Sequence, residues 1–223
     1  MAGGHKDKAG RPVVAITGMG VITSLGTGKE DNWEKLVAGQ SGIRRINRFP
    51  IDGLRTTIAG TVNEGWEPNI APSVHTERIA KLVGEEAISE SGIGAKGDFP
   101  GPMFLAMAPI ELEWPHRFDL ASATGSNDNV TYADLVRVAS EQRFASYYEM
   151  AKYGIVGENL ADHFGTQGSP ISLTTACASG ATAIQLGVEA IRRGECQAAL
   201  AIGADTSVTP ESVVRFSLLS ALS

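Results

Sequence analysis

Apolar and polar positions follow two rhythms along this chain, and the switches between them mark out its elements. PVVAITGMGVITSLG (12–26) opens with a β-branched run, which predicts a buried strand leaving through a glycine-punctuated turn. KEDNWEKLVAG (29–39) predicts a short amphipathic helix with Trp33, Leu36 and Val37 on one face and Gly39 as its stop. Residues 40–73 are loop-rich, with room for one short strand pair. ERIAKLVGEEAISESG (77–92) spaces Ile79, Leu82, Val83, Ala87 and Ile88 as a helix does, and Gly92 ends it. PMFLAMAPI (102–110) is a continuous apolar run, the pattern of a central strand covered on both faces.

Beyond it, residues 111–129 read as irregular with a tip at GSNDN, and 130–164 as mainly helical with breaks near Gly154 and Gly157. The last third is the most regular. PISLTTA (170–176) predicts a strand, ASGATAIQLGVEAIRRGE (178–195) a helix with Ala181, Ile184, Val188 and Ile191 inward, and CQAALAIGAD (196–205) another strand. That is one strand, helix, strand crossover in an α/β chain.

Composition narrows the function classes. The chain has 223 residues, 43% hydrophobic, enough to bury a sizeable core, and a net charge of −6 that argues against a nucleic-acid partner. The polar N-terminus lacks the apolar core of a secretory signal, and no apolar run is long enough for a membrane span, so a cytoplasmic location is expected. Two cysteines, Cys177 and Cys196, make neither a disulfide framework nor a zinc site, and reduced thiols are expected.

The one concentrated chemical signal is TTACASG (174–180), where a strand ends and a helix begins around Cys177. The free N–H groups and positive dipole end of a helix favour a thiolate there. Small neighbours, Ala176, Ala178, Ser179 and Gly180, leave room for a substrate carbonyl, and the Cys177 N–H could help hold an oxyanion. A small, inert, buried cysteine is the competing account of the same pattern.

TTACASGATAIQLGVEAIRRGECQAALAIGAD resembles the nucleophile segment of the β-ketoacyl-[acyl carrier protein] synthases, condensing enzymes of fatty-acid and polyketide synthesis in the thiolase superfamily. VVAITGMGVITSLGTGKEDNWEKLVAGQSGIRRINRF and ERIAKLVGEEAISESGI agree in order, as does VTPESVVRFSLLSALS near the end. The resemblance implies a thiolase-like α/β fold, its N-terminal half, with a mixed, mostly parallel sheet covered by helices. Residues 1–11 would be a flexible tail and 12–223 the domain.

It also implies a mechanism. Cys177 would take an acyl group from the phosphopantetheine of an acyl carrier protein, and the acyl-enzyme would condense with malonyl-carrier protein after loss of carbon dioxide. Phe216 matches a position lining the acyl pocket, and Arg78 and Lys81 lie on a helix that in relatives helps receive the acidic carrier. No cofactor or metal is implied beyond the carrier's phosphopantetheine. A homodimer, or pairing with a missing C-terminal half, is expected, and an isolated half should expose an apolar face.

The departures are specific. Residues 108–163 do not follow the family's usual pattern, which leaves chain length open and points to unusual or very long acyl chains. Relatives are about twice as long, and their second half supplies two histidines, a lysine and an oxyanion donor. Here the histidines are His5, His75, His116 and His163, none after Cys177 and none in those motifs, so condensation by this chain alone is not expected. A non-catalytic partner or chain-length subunit is the alternative, although such subunits typically lack the cysteine. A papain-like hydrolase lacks its downstream histidine, and TGMGVITSLG is a weak dinucleotide fingerprint because Thr23 replaces the third glycine.

Overall fold

A computed structural model describes residues 5–68, 70–125 and 129–222. Its centre is a three-stranded parallel sheet in the order β4-β3-β5, with β3 at Met103–Met107, β4 at Ile171–Leu173 and β5 at Leu200–Ala204. Phe104 pairs with Ile171 on one side and with Ala201 on the other. The predicted central strand is thus the middle one, and every residue of it is buried.

Alternation along β3 builds the core. Met103, Leu105 and Met107 point to one face, where they pack with Leu200 and Ile202 against helix α2 (Pro72–Ser91) and helix α6 (Ile155–Phe164), through Ala80, Val156, Leu160 and Phe164. Phe104 and Ala106 point to the other face and meet Ala183 and Ala190 of α7 (Ser179–Arg192). Helices on both faces of a parallel sheet make a three-layer α/β unit. Each large side chain so buried contributes about 1.5–3 kcal/mol.

The predicted crossover is present as β4, α7 and β5, with both strands parallel to the β3 between them. The strands are shorter than the apolar runs that announced them. Helix α7 also turns a different face inward: Ala183, Gly187 and Ala190 are buried, whereas Ala181 and Ile184 are exposed and Val188 and Ile191 half-buried. Close approach to the sheet decides this. A Cβ on Gly187 would stand 3.3 Å from that of Ala199, so only small residues fit on that side and the larger apolar ones face outward.

The first segment is a clearer correction. Pro12 makes only an isolated bridge to Lys6, residues 13–21 have no strand partner, and Val13 and Ile16 are 54% and 74% exposed, so the expected buried strand is absent. The backbone instead lies against α2, where side chains on Gly18 and Gly20 would collide with the carbonyls of Ala87 and Val83. Those two glycines serve packing on a helix. Glu90 accepts the Met19 N–H at 2.7 Å, and Lys29 binds Glu90 at 2.6 Å, which pins the segment to α2.

Helix α1 (Lys29–Val37) ends at Ala38, and Gly39 follows at φ 67° as expected. Its apolar face, however, is uncovered: Trp33, Leu36 and Val37 are each 60% exposed or more. Strands β1 (Ile43–Arg45) and β2 (Ile58–Gly60) form the expected antiparallel pair, apart from the main sheet. Helix α2 starts a turn earlier than its periodicity suggested, with Pro72 in its first turn, and Gly92 closes it in the left-handed conformation.

Residues 111–129 were expected to be irregular, yet helix α3 (Trp114–Ala123) occupies most of them; of the predicted tip, residues 126–128 lie outside the described residues. Helix α4 (Tyr132–Ala139) is started by a capping box between Thr131 and Asp134, and α5 (Ala145–Ala151) follows a short 3-10 turn. The chain breaks again before Gly154 as expected. Gly157, by contrast, sits inside α6 facing Ser172 rather than interrupting the helix. Helix α8 (Pro210–Leu218) completes the chain.

Candidate functional site

Helix α7 begins at Ser179, and the three residues before it make the turn out of β4. Ala176 stands at φ 50°, a left-handed conformation that a side chain disfavours. Strain of this kind, of order 1–3 kcal/mol, persists only where the surroundings over-determine it. Here hydroxyls do so. Ser179 Oγ accepts the Thr175 N–H at 2.8 Å and donates to the Ala176 carbonyl at 2.6 Å, while the Thr175 and Thr182 hydroxyls meet at 3.0 Å.

The result is a presented thiol. Cys177 is exposed, which sets aside the buried, inert account, while Cys196 is half-buried with its thiol pushed up by burial. Both cysteines are free. Cys177 opens on a cavity of about 850 Å3 that runs between the C-terminal ends of the parallel strands, the start of α2, the 106–113 segment and α8. That is the end of an open α/β sheet at which ligand sites form.

Phe216 of α8 lines the same cavity, so the structure places Cys177 and the expected acyl-pocket residue around one space. A buried hydroxyl pair holds the walls: Thr76 and Thr206 meet at 2.8 Å, and Thr206 donates to the Pro72 carbonyl at 2.8 Å. Arg78 and Lys81 lie elsewhere on α2. Arg78 is held by Glu67 at 2.7 Å and Lys81 by Glu77 at 2.6 Å, and neither lines the cavity.

Two residues that the sequence reading passed over are central to the cavity. Glu113 immediately precedes α3, Glu211 sits in the first turn of α8, and both line the space that Cys177 enters. Glu211 is 6% exposed, and neither of its carboxylate oxygens meets a protein donor. Burial first, then the neighbouring Glu211, pushes the Glu113 carboxyl up to about 8, against smaller opposing pulls from the Thr209 hydroxyl and Arg117. The hydrogen that can bridge the pair is therefore the proton Glu113 retains. Nothing in the sequence marked them: an acid beside a proline at a helix start reads as ordinary first-turn charge.

Nearby charges are already engaged. Arg215 makes two bonds to Glu111, at 3.0 and 2.7 Å, and this guanidinium holds the Glu111 carboxyl below its ordinary range. The described histidines do not reach the thiol's cavity. His75 is buried and donates from Nε2 to the Glu64 carbonyl at 2.8 Å, His163 pairs with Glu85 at 2.9 Å, and His116 packs edge-on against Tyr147. Burial lowers both His75 and His116, so each is neutral near pH 7. Among the described residues no cluster suited to a metal is found.

Comparison with known proteins gives one consistent answer. Residues 11–94 and 108–223 match the family described as "Beta-ketoacyl synthase, N-terminal domain". Among curated relatives, the 3-oxoacyl-[acyl-carrier-protein] synthase I, chloroplastic, of Hordeum vulgare is 27% identical over 96% of this chain and 46% of its own length. Among solved structures, the ishigamide ketosynthase/chain length factor superposes with a TM-score of 0.68 at 25% identity, covering 96% of this chain and 52% of that one. A type II polyketide synthase acyl-carrier protein in complex with its ketosynthase bound to the hexaketide gives a TM-score of 0.71 at 21% identity, over 93% and 49%. The chain thus spans about half the length of the relatives it matches.

Proposed function

Because the chain belongs to the beta-ketoacyl synthase family, through its N-terminal domain, we propose that Cys177 is the acyl acceptor of a condensing enzyme that draws its acyl group from an acyl carrier protein. The thiolate sulfur attacks the thioester carbonyl, a new carbon–sulfur bond forms, and the phosphopantetheine thiol leaves and takes up a proton. The Cys177 N–H at the start of α7 stabilises the oxyanion that forms in between. Phe216 and the apolar walls from Ala106 to Ile110 receive the acyl chain. One observation carries this reading: an exposed cysteine on a strained, hydroxyl-braced elbow at the mouth of a large cavity.

The carrier as partner is supported by the solved complex of a similar ketosynthase with its acyl-carrier protein. Arg78 and Lys81 remain the proposed contacts, which would require exchange of their present acidic partners. The reading includes no resident cofactor, a cytoplasmic location, and a homodimer or pairing with a C-terminal half. Pairing is supported by the uncovered apolar residues Ile16, Trp33, Val37, Ile184 and Leu218. No described helix is long and apolar enough to cross a membrane.

A second reading, a non-catalytic partner or chain-length subunit, is favoured by one feature: no histidine or lysine is among the described residues lining the cavity. Condensation needs donors that hold the enolate left when malonyl thioester loses carbon dioxide. Two assays separate the readings. Intact mass spectrometry after exposure to acyl-carrier protein should show one acyl group on Cys177, and none on Cys177→Ala. An unmodified Cys177 would sink the acceptor role and leave the subunit reading; ketoacyl product from the chain alone would refute the dependence on further donors.

A further inference from the structure

The carboxyl pair in the Cys177 cavity is difficult to explain as structure. Glu113 and Glu211 arrive from the first residues of two different helices, α3 and α8, so two positive dipole ends converge on them. Neither carboxyl serves as a helix cap: Glu113 makes no capping bond, and Thr209 caps α8 by accepting the Ser212 N–H at 3.3 Å. A buried acceptor without a donor is costly, more so when charged. With the Glu113 proton bridging to one of its oxygens, Glu211 keeps a second oxygen without a donor.

We propose that Glu211 and Glu113 form, within the Cys177 cavity, a recognition subsite for a hydrogen-bond-donating group, hydroxyl or ammonium, carried on the acyl chain. The inference rests on the acyl-acceptor reading above and deepens it by naming the substrate class. Cys177, Phe216 and both acids line one cavity, so a chain attached at sulfur shares its space with the acids. The walls from Ala106 to Ile110 are apolar, whereas Glu111, Thr209, Ser212 and Arg215 line the cavity nearer the acids in sequence, and a plain hydrocarbon end would give the second Glu211 oxygen no hydrogen. A hydroxyl or ammonium supplies the missing hydrogen.

The groups facing the pair are consistent with this. Arg215 lies close enough to feel both acids, but its guanidinium is bound to Glu111. Arg117 also binds Glu111, at 3.0 Å. His116, on α3, feels the Glu211 charge but is kept neutral by burial, and Thr209 offers one hydroxyl. With Glu113 keeping its proton, the pair still offers an unmet acceptor on Glu211. It accepts a neutral donor and attracts a cation.

The test is direct binding of non-transferable probes, acyl-pantetheine amides in a ladder of chain lengths, ending in methyl, hydroxyl or ammonium, to the full chain by calorimetry. At the length that reaches the acids, the hydroxyl and ammonium probes should bind at least about tenfold tighter than methyl. Glu211→Gln should keep the hydroxyl preference and lose the ammonium preference. Glu211→Leu should lose both and favour methyl, and it removes a buried charge, so it should fold. Equal or tighter binding of methyl probes at every length overturns the subsite alone, as does an unchanged preference in Glu211→Leu. If no probe binds at all, the acyl-acceptor reading fails and the subsite with it.

Discussion

Raising the pH is the sharpest perturbation of this fold, because one carboxyl keeps its proton far above the ordinary range. Glu113, ordinarily near 4.5, holds it to about 8, chiefly through burial and then through Glu211. Between those values the native state binds a proton that the unfolded chain has released, so stability is greatest below 4.5, falls through the window, and levels off above about 8. Each pH unit is worth ~1.4 kcal/mol, or about 5 kcal/mol across the window for a fully shielded group. Glu113 is only partly buried, and solvent screening reduces the expectation to about 2–3 kcal/mol.

Urea denaturation at steps of pH from slightly acid to alkaline, on the chain and on Glu113→Gln, isolates that contribution because other titrating groups are common to both. The parent should lose about 2–3 kcal/mol more than the variant across the window, and the variant should be the more stable protein at alkaline pH. Glu211→Gln should flatten the slope too, since it removes the charge that helps hold the Glu113 proton. Parallel curves for parent and Glu113→Gln would refute the buried-pair reasoning outright.

The remaining predictions probe elbow, core and caps. Ser179→Ala removes both hydroxyl bonds that brace Ala176, and acylation of Cys177 should slow by about tenfold or more, read by mass spectrometry, with melting lowered only slightly. Leu105→Ala, in the most buried strand, should cost about 3–4 kcal/mol in denaturant titration. Gly187→Val drives a branched side chain into Ala199 and should cost about 2 kcal/mol or more, whereas Ile184→Thr on the outer face of the same helix should be near neutral in the free chain. Thr131→Ala removes the capping box of α4 and should cost about 1 kcal/mol.

The elements read correctly from sequence are those whose signals were redundant. Helix α2 has dense periodicity and a terminal glycine, β3 an unbroken apolar run, and the segment around Cys177 a strand end followed by a helix start. The misreadings have physical causes. Helix α3 was missed because WPHRFDLASA carries little amphipathic contrast and a proline in its first turn, which is tolerated there but reads as a break elsewhere. The β-branched run at 12–21 specifies extended backbone but not a pairing partner, and extension alone does not bury it.

Helix α7 shows the deeper limit. Periodicity locates the large apolar residues, yet a helix lying close on a sheet needs small ones at the contact, so Ala183, Gly187 and Ala190 took the inward side and Ile184 was turned out. The same logic applies to Trp33, Leu36 and Val37 on α1: the pattern named an apolar face correctly, but not what covers it. An apolar face is a demand for a partner surface, and sequence records the demand more faithfully than the supplier. Glu211 is the polar counterpart, a buried carboxylate of which the Glu113 proton can meet one oxygen and leave the other open. Coverage of the apolar faces by a second surface, and of Glu211 by a ligand donor, are therefore separable: association should protect Trp33 from solvent without changing probe preference, and Glu211→Leu should change that preference without altering association.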